Sequence, residues 1–416
     1  MNTPRPRLLY LSPVVPAMTG NGLAMRAGMT VRLLASHYRV SLLVVRLYPP
    51  FQEPIPPAIA DVCDEAVTSL ADHGTSRPAP LSFDGLRRWV RHVTLGRSNE
   101  SDDRTLSAAR VFHGRHFDVI HVFRLAMLPY ARPYVDRAGP STGRHLDLDD
   151  VESVTRRRVA ELYRANGYAT LADSEEAAAL RAETLECEVL RDFDRLYVCS
   201  QGDRARLERS GGARVCVLPN TLPLPAPLPP PLEAEPFTFL FIGTLGYYPN
   251  EDGIIQFCTN VLPLIRQRAS RDVRVIVAGA GATRALQQLI GLPGVQLIGP
   301  VPDVATTYRE AHAVVVPIRA GGGTRIKVLE AFSYRRPVVA TSIGIEGIAA
   351  QPDRHFLRGD TPAELADQCV RLLLDSSLRE QLADAAYELF RRAYTVEAAA
   401  RSLIACDADT PRSPGE

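Results

Sequence analysis

Short apolar runs alternate along this chain with longer stretches in which apolar residues return every three or four positions. RLLYLS (7–12), VSLLVVRLY (40–48), FDVIHVF (117–123), RHLDLDD (144–150), RLYVCS (195–200) and RVCVL (214–218) have the length and apolar character of buried strands. Residues 22–37, 171–193 and 201–210 carry helical spacing between them. The stretch PNTLPLPAPLPPPLEAEP (219–236) is too rich in proline to continue a helix or a central strand and reads as a stiff linker. The alternation then restarts with FTFLFIGTL (237–245), VRVIVAGAG (273–281), VQLIGPV (295–301), HAVVVPI (312–318) and PVVATS (337–342).

Two rounds of strand–helix alternation predict an α/β protein with two doubly wound, Rossmann-like domains and a cleft between them. The expected division is a domain over 1–218, the linker 219–236 and a second domain over 237–376. Helices over 377–408 are expected to pack back across the cleft edge, and 409–416 to form a disordered polar tail. A length of 416 residues suits two domains.

Composition narrows the function classes. A net charge of +1 gives no overall field for nucleic acid, so no nucleic-acid partner is expected and any anion site must be local. Seven scattered cysteines, odd in number and without a CxxC pair, argue against a zinc site or a disulfide framework and for a reducing compartment. The apolar run near the N-terminus is broken by Pro13 and Pro16 and reads as a strand, not a leader or span. A cytoplasmic location follows as the expectation. The segment LRRWVRH (86–92), with Arg87, Arg88, Arg91 and the sole tryptophan Trp89, suits peripheral contact with the inner face of the cell membrane. A surface helix packing one face is the plainer reading.

Among 48 basic side chains one is lysine, Lys327, in AGGGTRIKVLEAF (320–332). A flexible ammonium is a compact charge suited to phosphate, a role a planar guanidinium does not always fill. HAVVVPI reads as a strand, 319–323 as a turn, and Thr324 as the start of a helix. Glycines before a helix let backbone approach a ligand, and the helix's first amides and dipole attract an anion. Arg325 and Lys327 add charge at that end, and Glu330 is within reach of the same ligand, fit for uncharged hydroxyls such as those of ribose.

This strand–GGGTRIKVLEAF–helix unit, followed by RRPVVATSIGIEGI (335–348), resembles the donor-binding region of GT-B fold glycosyltransferases, in particular the retaining family-4 group. FIGTLGYYPNEDGIIQF (241–257), VAGAG with VQLIGPVPDVATTYREAHAVVVPI, CVLPNT (216–221) and SPVVPAMTGNGLAMR (12–26) resemble further segments of that group in order. DLDDVES (147–153) resembles an acidic segment of an exopolysaccharide-type sugar transferase subgroup. The resemblance implies transfer of a sugar, with retention, from a nucleotide-diphosphate sugar to an acceptor hydroxyl. UDP is the first candidate, GDP or dTDP the alternatives, and neither a cofactor nor a metal is required. The acceptor would be a glycan, a lipid-linked glycan or a small molecule.

The resemblance also implies residue roles. Gly322, Gly323, Thr324, Arg325 and Lys327 would hold the diphosphate, Glu330 the ribose, and Pro300 and Val301 the base. Gly243 and Thr244 belong to the first loop of the donor-binding domain. Gly20 and Gly22 would approach the phosphates from the facing domain, and Asn21, Arg26 and Asp150 would serve the acceptor. Arg325 and Lys327 would be catalytic through the leaving diphosphate, with His121 and Asp150 as further candidates. His121 matches a position often functional in the group, with a strand histidine in the core as its alternative. Asp147, Asp149, Asp150 and Glu152 read as acceptor-side or structural.

Three departures matter. The first of two glutamates common in the group falls on Gly322, and an Arg and a Lys common after the first strand fall on Thr244 and Asp252. GAGAT (279–283) lacks the third glycine and the later acidic residue of a dinucleotide fingerprint, and the loop lacks P-loop spacing. A sugar-nucleotide epimerase of the same fold and a catalytically silent nucleotide-sugar-binding scaffold remain alternative readings.

Overall fold

The computed structural model describes residues 5–47, 53–69, 108, 110–209, 214–231, 236–269 and 271–408. The 86–92 segment and the 409–416 tail lie outside the described residues. Two compact units form: one is Met1–Ser153 with Glu176–Leu218 and Leu403–Glu416, the other Val154–Glu175 with Pro219–Ser402, each taken over its described residues. Residues 154–175 thus group with the donor-side sequence, although they precede the proline-rich stretch.

The first unit is built on seven parallel strands: β1 Arg7–Ser12, β2 Arg39–Val45, β3 Glu65–Ser69, β4 Val119–Phe123, β5 Gly143–Asp149, β6 Arg195–Val198 and β7 Arg214–Val217. They lie in the order β3-β2-β1-β4-β5-β6-β7. Leu8, Leu9, Tyr10, Leu11, Leu42, Leu43 and Val44 are fully buried, as expected of strands covered on both faces. Asn21 accepts a hydrogen bond from the Ala24 amide and so starts the helix Gly22–Ala35.

The second unit carries six parallel strands: β8 Phe237–Ile242, β9 Val273–Ala278, β10 Val295–Ile298, β11 Ala313–Val316, β12 Val338–Ala340 and β13 Leu357–Arg358. Their order is β10-β9-β8-β11-β12-β13, so the direction of winding reverses between β8 and β11. The loops after these two strands flank the crevice in which doubly wound sheets bind ligands. Behind that crevice Gly279, at φ +143°, lets β9's end approach β8's: an added Cβ would stand 1.8 Å from the Gly243 carbonyl oxygen.

Several expectations are corrected. β1 spans its run RLLYLS in full, whereas β2, β8 and β9 stop short of theirs, whose last residues turn into the loops. β3, sequence EAVTS, lacks an apolar run, and most of its residues are only half-buried. The helix Leu128–Val135 was hidden by prolines: one sits in its first turn, where no amide bond is lost, and Pro133 lies inside it. The helix Glu152–Ala165 also went unread. The expected helix start at Thr324 moves to Ile326, with Arg325 as N-cap. Gly321 at φ +119° and Gly323 at φ +67° hold the chain out of helical geometry until then. Cys216 on β7 and Cys406 pair as a disulfide with Cα atoms 6.2 Å apart, against the expectation of unpaired cysteines.

Candidate functional site

The glycine loop follows β11, and the helix Ile326–Ser333 follows the loop. Lys327 is 9% exposed, and its ammonium is held on three sides. Nζ donates to Asn250 Oδ1 at 2.7 Å, lies 4.3 Å from the centre of the Phe241 ring, and stands 2.9 Å from where a Cβ on Gly243 would be. The glycine after β8 is therefore what makes room for the lysine. Burial, with Arg325 adding repulsion, pushes the Lys327 ammonium down to about 7. Burial pushes Glu330 up to about 7, against Tyr308 and Lys327, which favour its charged form. Tyr308 donates to Glu330 Oε2 at 3.1 Å.

Arg325 turns back on its own loop, with Nη1 donating to the carbonyls of Gly322 and Gly323. Its Nη2 and the hydroxyl of Thr324 are buried without a hydrogen-bond partner among the described residues. Two orphaned donors beside an ammonium and a helix N-terminus, behind left-handed glycines, form a cradle for an anion. Thr244 is exposed and its carbonyl accepts from Asn250 Nδ2 at 2.9 Å. Pro300 is exposed and Val301 half-buried, just past the end of β10.

The segment 154–175 braces this loop. Arg158 Nη1 donates to the Gly321 carbonyl at 2.9 Å and pairs with Glu346 through both nitrogens. Tyr163 stacks on Tyr248, centroids 4.1 Å apart. Asn166 Nδ2 donates to Tyr248 Oη at 2.7 Å and to Asp252 Oδ1 at 2.8 Å. Asp252 in turn receives Arg319 bidentately, Nε at 2.7 Å and Nη2 at 2.5 Å. Asn250, Arg158, Asn166, Tyr308 and the Asp252–Arg319 pair were missed by sequence reasoning. Asn250 and Asp252 carried a signal, their place in YYPNEDG.

The candidates of the first unit form a different arrangement. Gly20, at φ +106°, is exposed, and nothing lies within 4 Å of a Cβ placed on it. Arg26, 3% exposed, binds Asp147 through Nε and Nη2 and the Leu218 carbonyl through Nη1 at 3.1 Å. Arg124 Nη1 donates to Asp150 Oδ1 at 2.5 Å. Asp149 lies between the two arginines, 3.4 Å from Arg26 and 3.7 Å from Arg124, and burial pushes its carboxyl up to about 6. Arg124 and Asp149 both hold positive φ, 73° and 65°, at the ends of β4 and β5. The acidic segment is thus laced with arginines. Among the described residues no group of three His, Cys, Asp or Glu side chains could hold a metal ion.

His121 is 1% exposed within β4 and stacks on Tyr10 and Tyr197, with centroids 5.1 and 5.5 Å away. Neither of its ring nitrogens has a partner among the described residues, and burial pushes it down to about 3. The packing is that of a neutral core histidine. No helix among the described residues is long and apolar enough to cross a membrane.

Residues 236–375 match the family model described as glycosyl transferases group 1. Over 152 residues the chain is 33% identical to an alpha-D-kanosaminyltransferase of Streptomyces kanamyceticus, a match covering 33% of this chain and 37% of that relative. Little more than a third of the relative is therefore spanned. Sucrose-phosphate synthase from Thermosynechococcus elongatus superposes with TM-score 0.67 at 16% identity, over 97% of this chain and 98% of that one. HepE of Anabaena, in complex with UDP and glucose, superposes with TM-score 0.62 at 13% identity, over 97% and 100%. At such identities the likeness is one of fold, and that fold is GT-B, with two parallel Rossmann-like sheets.

Proposed function

We propose that the whole chain moves a sugar from a nucleotide-diphosphate sugar to an acceptor hydroxyl, a reading supported by the match of residues 236–375 to the model of glycosyl transferases group 1. The observation that carries this reading is the cradle at the glycine loop. Thr324 Oγ1 and Arg325 Nη2 are buried there without partners, next to the sole lysine. A diphosphate supplies the acceptor oxygens those donors lack and the charge that the ammonium and helix N-terminus favour.

In the proposed reaction the bond from the sugar's anomeric carbon to the diphosphate oxygen breaks, and its electron pair leaves with the diphosphate. A bond from the acceptor oxygen to the same carbon forms, with retention, and the acceptor proton passes to a donor phosphate oxygen. Lys327, Arg325 and the loop amides of Gly322, Gly323 and Thr324 stabilise the charge that grows on the leaving group, usually the largest catalytic contribution. Glu330 takes the ribose hydroxyls, and Pro300 and Val301 line the base. Gly243 and Thr244 complete the donor loop. Asn21 and Asp150 serve a glycan-type acceptor, in the manner of an exopolysaccharide-type enzyme. Arg26, expected beside them, is buried against Asp147 and the Leu218 carbonyl and holds the acidic segment in place. UDP is the first nucleotide to try, since HepE was solved with it.

Calorimetric titration with UDP, GDP and dTDP, wild type beside Lys327→Ala, tests this. A charged hydrogen bond to phosphate is worth ~1.5–3 kcal/mol, so the variant should bind roughly ten- to a hundredfold more weakly. Equal binding by both proteins would remove the diphosphate from this loop. Binding without turnover on any acceptor would leave a silent scaffold as the better account, and binding by neither protein would overturn the reading.

A further inference from the structure

We infer that Arg319 is a donor-binding residue of this site, aimed at the diphosphate by Asp252 and Asn166, which act as positioning residues. The inference rests on reading the glycine loop as a nucleoside-diphosphate site. Four observations carry it. Arg319 follows β11, and Gly243 follows β8, so both border the place where the second sheet reverses its winding. One helix, Tyr248–Gln256, serves two of the three cations around the loop: Asn250 holds Lys327, and two residues on Asp252 holds Arg319. Asp252 is 5% exposed, whereas the Arg319 side chain is 39% exposed, so the pair is anchored at its carboxylate end and open at its guanidinium end. Nε and Nη2 of Arg319 are spent on Asp252, with Nη2 also 3.4 Å from Asn166 Oδ1, while Nη1 has no partner among the described residues.

The charge pattern then makes sense. Asp252 stands where the group commonly has a basic residue, a substitution that by itself would repel a diphosphate. In the folded chain it reverses nothing, because it recruits a guanidinium from the facing loop. Its neighbour Asn166 adds a second hold on the same carboxylate from the 154–175 segment. A fork fixed along one edge presents its remaining N–H groups in a set direction, which is how arginine recognises phosphate oxygens.

The test separates a ligand role from a structural one. Replacing both members, Arg319→Met with Asp252→Leu, removes the ion pair without leaving a buried charge, so folding should survive. The nucleoside diphosphate bound best by the wild type should bind this variant at least tenfold more weakly, while the matching nucleoside binds unchanged. Asp252→Asn should weaken the diphosphate severalfold with Arg319 intact, and Arg319→Lys should do the same because the fork is lost. Wild-type affinity in the double variant, with Lys327→Ala still weakened, would overturn the role of Arg319 and leave the diphosphate site standing. No diphosphate binding by the wild type would overturn both. Should the double variant fail to fold, wild-type affinity in Arg319→Lys and Asp252→Asn would overturn the inference.

Discussion

Lys327 Nζ donates to Asn250 Oδ1 at 2.7 Å between two helices that follow different strands of one sheet. Lysine and asparagine are 77 residues apart in sequence, and the bond aims the one flexible cation of the chain before any ligand arrives. Asn250→Ala should therefore weaken nucleoside diphosphate binding about three- to tenfold, less than Lys327→Ala, since the charge stays but its direction is lost. Titration of the two variants side by side checks the order. An Asn250→Ala variant weaker than Lys327→Ala would give Asn250 a role apart from the lysine.

Binding should take up protons. Free Lys327 loses its proton near pH 7, and a bound diphosphate favours the ammonium, raising that value. Affinity should then fall as pH rises above about 7, by at most tenfold per unit. Glu330, pushed up to about 7 by burial, gains negative charge over the same window and acts in the same direction. Calorimetry between pH 7.5 and 9, in buffers of different ionisation enthalpy, reads the uptake directly. Lys327→Ala should flatten most of the slope and Glu330→Gln the remainder.

Gly279→Ala should damage the second unit. Its Cβ would stand 1.8 Å from the backbone oxygen of Gly243, which no side-chain motion relieves, at a φ that already disfavours alanine. A cost of about 3 kcal/mol, or roughly 6–12 °C in melting temperature, is expected. Gly20→Ala, with a strained φ but open space around it, should cost only ~1 kcal/mol.

Acid should destabilise the first unit through its histidines. His121 is pushed down to about 3 and His145 well below its ordinary value, both chiefly by burial. The unfolded chain binds protons below pH 6.5 that the folded core refuses, so this contribution is intact above 6.5 and is lost as pH falls toward 3. Each histidine costs at most ~1.4 kcal/mol per pH unit in that window. Melting temperature against pH checks it: His121→Phe should raise stability near pH 5 more than at pH 8. An unchanged acid limb would mean that other groups govern it.

What was legible in the sequence was what a single segment decides for itself. Strands such as RLLYLS announce themselves because both faces are buried and most positions are apolar. EAVTS was silent because its half-buried face mixes charge and hydroxyl, and Leu128–Val135 because proline reads as a breaker wherever it stands. Lys327 was conspicuous only because arginine fills every other basic position. Its partner, and the pairing of Asp252 with Arg319 across 67 residues, arise from tertiary folding and leave no local trace. The start of the helix at Ile326 needed the positive φ of Gly323, a backbone choice that glycine permits but does not dictate.

One lysine with a depressed affinity for protons also has a practical side. Apart from an α-amino group, Lys327 offers the chain's single amine to acylating reagents, and near neutrality half of it is in the nucleophilic form. A protein of 416 residues thus carries one side-chain address for covalent amine chemistry, just past its glycine loop and only 9% exposed. Mass-spectrometric counting of that single acylation would report occupancy of the loop without any engineered label.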